Sequence, residues 1–188
     1  MKKDTIVIDI ETSNTFADVG RDNFRALNIS VVGIYSYNRD AYETFEAHEL
    51  DALGKLLAEA ELIVGFAISR FDLPVMAKHY TFDLFSIPRI DILDEIELSS
   101  GKRISLQILS EHNLGYGKSG KGMDAPILFE QGKMEELKAY CLQDVKVTKD
   151  LYDLAKKQGY LMLPQKDGSE AIKVDLDWSQ KLLYQRLF

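Results

Sequence analysis

The order of hydrophobic patterns along the chain limits the folds that it can adopt. Thr5–Ile10 is a β-branched run that predicts a buried strand. Residues 29–37 and 42–46 predict two more strands, joined by the turn-like Asn38–Asp40. Leucines then recur at helical spacing, and residues 62–66 return to a strand pattern. A three-strand meander followed by alternating helices and strands predicts an α/β fold, a mixed sheet flanked by helices.

The second half of the chain predicts further helices and a closing hairpin. Residues 160–163 and 171–176 are short β-patterned segments on either side of the turn signal Lys166–Ser169. A chain of 188 residues is near the usual size of one domain. We therefore predict a single domain over the whole chain, with a core of about 5–158 and a hairpin appendage of about 160–178. The remaining predicted elements are helices at about 71–80, 105–113 and 134–158, a strand at 87–92, and a Gly-rich loop before the last helix.

Composition narrows the class of protein. No apolar run approaches the ~20 residues that span a bilayer, and the N-terminus lacks the pattern of a secretory signal. The single cysteine, Cys141, predicts a reducing, cytoplasmic compartment. A net charge of −7 argues against a non-specific nucleic-acid coat protein, because phosphate binding depends on Lys and Arg. It does not exclude a nucleic-acid enzyme, since carboxylates at a metal site contribute much of such a charge.

An acidic pair stands at the end of the first predicted strand. Side chains alternate along a strand, so Asp9 and Glu11 share one face and lie ~6.5 to 7 Å apart. Two carboxylates on one face can reach the same cation. Strand ends are also often acidic because they meet solvent, and this pair alone leaves both interpretations open.

Two further acidic positions lie on predicted helices. Asp72 follows the strand at 62–66 and stands at the start of a helix, where an aspartate is also common as a cap. Tyr140 and Asp144 are four residues apart in the long helix, so they share one helix face. That spacing is frequent by chance. Each position is weak evidence for a site when it is taken alone.

Together, however, the three segments resemble the motifs of a known family. Asp9–Thr12 reads Asp-Ile-Glu-Thr, Gly65–Pro74 reads Gly-Phe-x-x-x-x-Phe-Asp-x-Pro, and Tyr140–Asp144 reads Tyr-x-x-x-Asp. These look like the three motifs of the DnaQ-like DEDD exonucleases, in the tyrosine-bearing subgroup that includes the proofreading domains of family B DNA polymerases. The resemblance covers residues 5 to about 155. It implies an RNase H-like fold, in agreement with the predicted order of elements.

The resemblance implies a role for each acidic position. Carboxylates of Asp9, Glu11, Asp72 and Asp144 would hold two Mg²⁺ or Mn²⁺ ions, both of which prefer hard oxygen ligands. Two ions ~3.5 to 4 Å apart stabilise the entering and leaving oxygens of an in-line displacement at phosphorus. Tyr140 would orient the attacking water, because a free tyrosine titrates near ~10 and is a poor base at neutral pH. A histidine-bearing subgroup has its histidine where this chain has Ala139.

Other positions are candidates for contact with the substrate. Thr12 resembles the family residue near the terminal nucleotide. Phe66 and Phe71 would either line the nucleotide pocket or fill the core. Lys118 and Lys121 lie in the most basic neighbourhood of the chain and would either guide a phosphate backbone or form a solvated loop.

Three features stand outside these motifs. Many relatives carry Asn where this chain has Ala67, which puts its grip on the substrate strand in doubt. Asp91, Asp94 and Glu95 form another acidic group, for which we favour capping over metal binding. Gly115–Gly122 narrowly misses a P-loop because the required Ser or Thr is replaced by Gly, so ATP binding is rejected.

We therefore expect a 3′–5′ exonuclease acting on single-stranded or frayed DNA and releasing nucleoside 5′-monophosphates. A 3′–5′ exoribonuclease is the nearest alternative, because the sequence offers no readable contact with a 2′-hydroxyl. A catalytically silent nucleic-acid-binding module is the alternative from another class. Any polymerase or helicase activity would come from a partner chain.

Overall fold

The computed structural model describes residues 3–117, 124–165, 168–176 and 178. The strands in this part of the chain are β1 (Asp4–Thr12), β2 (Ile29–Ser36), β3 (Ala41–Glu46), β4 (Ala60–Gly65), β5 (Arg89–Asp91), β6 (Tyr160–Leu163) and β7 (Ile172–Asp175). The α-helices are α1 (Phe16–Val19), α2 (Leu50–Ala58), α3 (Asp72–Met76), α4 (Ile92–Ser100), α5 (Leu106–Leu114), α6 (Asp124–Glu130) and α7 (Met134–Gln158).

The main sheet is mixed and has the order β3-β2-β1-β4-β5. The first three strands form an antiparallel meander, and β4 and β5 add to β1 in parallel. Helices flank this sheet, and β6 and β7 pair as a separate antiparallel hairpin. The predicted α/β class, the meander and the hairpin are all confirmed.

The central strand β1 is covered on both faces, which is why its apolar run is nearly continuous. Ile6 and Ile8 pack into a buried cluster that contains Leu53 of α2. Val7 points to the opposite face and packs into a second cluster with Val147 of α7. The alternation along β1 therefore assigns each side chain to one of two helical layers.

The C-terminal hairpin packs against the second of these layers. Leu161 and Val174 are buried in the same cluster as Val7. The rings of Tyr152 and Trp178 stack with their centroids 5.2 Å apart. The boundary between core and appendage stays a prediction, although the hairpin shares this apolar cluster with the main sheet.

Three α-helices, α1, α4 and α6, were not predicted. The strand predicted at 87–92 is present but shorter: β5 covers Arg89–Asp91, and α4 begins at Ile92. A short apolar run has the same pattern in a strand and in a buried helix, so periodicity alone does not separate the two. Part of the predicted Gly-rich loop is α6, whose Pro126 lies in the first turn, where proline is tolerated. The helix predicted at 71–80 is α-helical to Met76 and continues as a 3₁₀ turn to His79.

Some predictions fall outside the described residues. The predictions for Lys118 and Lys121 concern residues 118–123 of the Gly-rich loop, which are not among the described residues. In the residues that the structure does describe, no helix is long and apolar enough to cross a membrane.

Candidate metal centre

The acidic pair lies on the α7 side of β1, near its carboxyl end. Asp9 and Glu11 have the same parity as Val7, whose side chain packs with α7. Glu11 is buried, whereas Asp9 is half-buried. The face of β1 that contributes Val7 to the apolar core therefore carries the carboxylates of Asp9 and Glu11 further along the strand.

Helix α7 brings the third motif to this face. Its buried stripe includes Leu137, Tyr140, Asp144, Val147 and Leu151. These residues recur at three- and four-residue intervals, so they form one continuous side of the helix. Tyr140 is 6% exposed and Asp144 only 4%, although both carry polar groups. The stripe that packs the core thus continues into a phenol and a carboxylate beside β1.

Three carboxylates converge at this point. One oxygen from each of Asp9, Glu11 and Asp144 lies within 4.8 Å of the others. Oxygen ligands bind Mg²⁺ or Ca²⁺ at ~2.0 to 2.6 Å, so ligands on opposite sides of an ion are ~4 to 5 Å apart. The spacing is compatible with one divalent cation held by all three groups. All three members of this group are carboxylates.

Asp72 lies beside this cluster without being one of its three members. It is the first residue of α3 and is 5% exposed. Its Oδ1 accepts a hydrogen bond from the N–H of Ile10 at 3.1 Å, which ties it to the strand between the two acids of β1. The pKa of Asp72 is raised to about 7, mainly by burial and to a smaller extent by the charges of Asp91 and Asp144. Asp72 therefore sits in the electrostatic field of the cluster.

The approach of α7 to the sheet depends on a glycine that sequence reasoning missed. Gly33 of β2 pairs with Asp9 in the antiparallel register. A β-carbon at Gly33 would lie 2.9 Å from Cys141 Sγ and 3.0 Å from Val145 Cγ2. Only a residue without a side chain lets α7 lie this close. A glycine inside a β-branched strand often marks such an approach, and that signal was available in the sequence.

Cys141 is a second neighbour of the cluster that was missed. Its Sγ lies 3.8 Å from Asp9 Oδ2 and 3.5 Å from the Asp9 carbonyl oxygen, and the thiol is fully buried. Burial raises its pKa well above the ordinary value, and the charges of Asp9 and Glu11 act in the same direction. The side chain is therefore a protonated thiol that packs between α7 and β1.

Within the acidic group near β5, Asp91 caps a helix, as the capping interpretation predicted. Asp91 caps α4 by accepting the N–H groups of Leu93 at 3.2 Å and Asp94 at 3.4 Å. The carboxylate of Asp94 forms an ion pair with Arg70 at 3.0 Å.

The loop between β4 and α3, which contains Arg70, also contains Ala67, whose φ of 65° is left-handed. Such a conformation costs a non-glycine residue ~1 to 2 kcal/mol.

The predicted substrate-contacting residues flank the acidic segments. Thr12 is buried, and its hydroxyl donates to the Asn14 carbonyl at 2.8 Å. The ring of Phe71 packs edge-on against Phe16 and Phe24, with centroids 5.9 and 6.5 Å away. These contacts give both residues a structural role. Their contact with a nucleotide stays a prediction.

Comparison with known proteins adds the family. No curated protein matches the chain. The RNase_H_2 family, described as belonging to the RNase_H superfamily, matches residues 6–156. The match begins within β1 and ends within α7, so it includes all three carboxylates of the cluster. The chain therefore belongs to the RNase H superfamily.

Proposed function

We propose that this chain is a metal-dependent 3′–5′ exonuclease that hydrolyses phosphodiester bonds at the 3′ end of single-stranded or frayed DNA and releases nucleoside 5′-monophosphates. The observation that carries the proposal is the convergence of Asp9, Glu11 and Asp144 within 4.8 Å in a domain of the RNase H superfamily. Three carboxylates on one point suit a hard divalent cation, and membership of this superfamily suggests a nuclease.

In this proposal the four acids bind two Mg²⁺ or Mn²⁺ ions. Asp9, Glu11 and Asp144 bind the first through the oxygens that already converge. Asp72, tied to β1 through Ile10, contributes to the second. Bound ions supply Lewis-acid stabilisation of the phosphoryl oxygens and a nucleophilic water at neutral pH.

Tyr140 is the proposed positioning group for the attacking water. It lies one helical turn before Asp144 on the same buried stripe of α7. A hydroxyl so placed can donate to or accept from a water near the scissile phosphate without being ionised. Removal of the hydroxyl by Tyr140→Phe should therefore lower the rate without removing the cation site.

The choice of a 3′ end rests on the motif resemblance. An unpaired terminal nucleotide would lie between two segments next to the acids, with Thr12 directly after Glu11 and Phe71 directly before Asp72. The hydrogen bond from the Thr12 hydroxyl to the Asn14 carbonyl holds the first segment, and the packing of Phe71 against Phe16 holds the second. A separate polymerase or helicase chain would supply any activity beyond hydrolysis, and co-purification would identify it.

The test uses 5′-labelled single-stranded DNA and RNA of one sequence, each with a free or blocked 3′ end. Purified protein is incubated with Mg²⁺, Mn²⁺ or chelator. We expect a metal-dependent ladder that shortens from the free 3′ end and is lost in Asp9→Ala. The matched control is Asp83→Ala, which changes an exposed capping aspartate. The ratio of DNA to RNA products shows whether the enzyme prefers deoxyribose or ribose in its substrate.

Two results would contradict the proposal. A ladder that survives in Asp9→Ala, or one that persists in chelator, would separate hydrolysis from the acidic cluster. No cleavage of any substrate, with Mn²⁺ binding retained in a calorimetric titration, would indicate a nucleic-acid-binding module without catalytic activity.

A further inference from the structure

A carboxylate outside the acidic cluster holds the loop that leads to Asp72. Asp91 is the last residue of β5 and is 3% exposed. Besides capping α4, it accepts two shorter hydrogen bonds from another segment: Ala67 N–H reaches Oδ1 at 2.8 Å, and Ser69 N–H reaches Oδ2 at 2.8 Å. Both oxygens of one buried carboxylate are thus directed at the same short loop. Hydrogen bonds to an ionised acceptor are among the stronger ones in proteins.

The loop needs this support because its backbone is strained. It runs from Gly65 at the end of β4 to Asp72 at the start of α3. Ala67 has a positive φ of 65° within it. Residues without glycine's freedom keep such a conformation only where their surroundings enforce it. The N–H of Ala67 itself is one of the two groups that Asp91 binds.

A second set of contacts, on the solvent-facing side, attaches the same loop to α4. Arg70 forms ion pairs with Asp94 at 3.0 Å and Glu97 at 2.7 Å, both on α4. These groups are partly exposed, so the pairs are weaker than the buried hydrogen bonds. Both attachments join the loop to α4 or to the residue that caps it. The position of Asp72 is thereby linked to the start of α4.

We infer that Asp91 is a positioning residue, which holds the Ala67–Ser69 backbone so that Asp72 lies against Ile10 and beside the acidic cluster. The inference rests on the proposed role of Asp72 as a metal ligand. Asp91 itself is not a member of the cluster of Asp9, Glu11 and Asp144. It acts through the loop, as groups behind metal ligands commonly do.

The first test is Asp91→Asn, which replaces one acceptor oxygen with a donor of similar size. At least one of the two loop N–H groups then faces an N–H instead of an oxygen. We expect Mn²⁺ affinity, measured by calorimetry, to fall ~10- to 100-fold, with a similar fall in kcat and little change in KM for DNA. Amide hydrogen exchange at Ala67 and Ser69 should accelerate. Asp83→Asn is the matched control, because it makes the same change at an exposed aspartate that accepts a hydrogen bond from the N–H of Phe85 and has none with this loop.

A purely structural role predicts a different outcome, namely lower thermal stability with unchanged Mn²⁺ affinity and kcat per folded molecule. Ala67→Gly in the Asp91→Asn background distinguishes the two. Glycine adopts a positive φ without strain, so it should recover at least half of the lost affinity if Asp91 acts through the loop. A failure of rescue would overturn the inference.

A second variant keeps the test independent of the α4 cap. Ala67→Val places a β-branched residue at a positive φ and strains the loop without removing any hydrogen bond of Asp91. It should weaken Mn²⁺ binding as Asp91→Asn does, and wild-type affinity in both variants overturns the inference. Absence of nuclease activity in the wild-type protein would refute the proposed function alone, since the calorimetric and exchange measurements still report on the loop.

Discussion

The close approach of α7 at Gly33 makes a sharp prediction for Gly33→Ala. The new β-carbon would lie 2.9 Å from Cys141 Sγ and 3.0 Å from Val145 Cγ2, whereas ordinary contacts begin at 3.4 Å. If the helix gives way rather than the side chains of Cys141 and Val145, α7 retreats by about 0.5 Å, the difference between 3.4 and 2.9 Å. Overpacking of this kind costs ~1 to 3 kcal/mol of unfolding free energy. The retreat also moves Asp144 away from Asp9.

The effect on the site should exceed the effect on stability. Productive geometry tolerates displacements of ~0.5 Å, and a 1 Å misplacement of reacting groups costs on the order of 100-fold in rate. We expect Gly33→Ala to lower kcat and Mn²⁺ affinity by on the order of 10-fold while the protein stays folded. Urea unfolding, Mn²⁺ calorimetry and hydrolysis of 5′-labelled DNA measure the three quantities separately.

A second substitution tests the geometric cause. Cys141→Ala removes the closer of the two atoms that the new β-carbon meets and leaves Val145 Cγ2 at 3.0 Å. Gly33→Ala with Cys141→Ala should therefore recover part of the lost affinity. Gly54→Ala is the matched control, because its β-carbon would lie 2.7 Å from Tyr80 Cε1 on the other layer, far along the chain from the cluster. It should destabilise the fold and leave kcat per folded molecule intact. Full activity in Gly33→Ala, or no recovery in the double variant, would refute the reasoning.

Three further predictions concern the acids and the loop. The pKa of Asp72, raised to about 7, lies above its ordinary value of 3.8, so between these values the folded state binds more protons than the unfolded state. Metal-free protein should therefore lose stability as pH rises from about 4 to 7. Urea unfolding at several pH values across this range measures the slope of the unfolding free energy against pH, which should be smaller in Asp72→Asn. An equal slope in the two proteins contradicts the assignment. Apparent Mn²⁺ affinity should rise over the same pH range, because cation binding must displace the proton, and calorimetry at several pH values checks it. Ala67→Gly should leave the unfolding free energy unchanged or raise it by up to ~1 kcal/mol, since relief of the left-handed strain opposes glycine's larger entropy in the unfolded chain; a loss above ~1 kcal/mol would show that Ala67 is not strained.

The sheet could be predicted because its signals are local. Alternation along Thr5–Ile10 and the leucine spacing after β3 report directly on strand and helix, and β1 and α2 lie where they were predicted. The same alternation placed Asp9 and Glu11 on one face. Helix α4 was missed because its apolar start is continuous in sequence with β5, and only the cap at Asp91 separates the two.

The supports of the site could not be predicted, because they join residues far apart in the chain. Gly33 meets Cys141 only when α7 lies on the sheet. The hydrogen bond from Ile10 to Asp72 spans 62 residues, and that from Ala67 to Asp91 spans 24. The glycine in β2 signals that another segment packs close to it, but no local pattern identifies the partner residues. The motifs indicated which side chains carry the chemistry, and the long-range packing determines how those side chains are held.

The acidic cluster occupies positions that the rest of the fold uses for core. On β1 the face of Val7 continues into Asp9 and Glu11, and on α7 the stripe of Val147 continues into Asp144. Burying carboxylates close together without a cation is unfavourable, through both desolvation and mutual repulsion. A divalent cation reverses both terms at once, because it replaces lost solvation and neutralises the repulsion. Without metal, this end of the sheet should therefore be the least stable part of the two layers. The repulsion and desolvation that destabilise it would be relieved by a bound cation, and this relief would add to the free energy of cation binding.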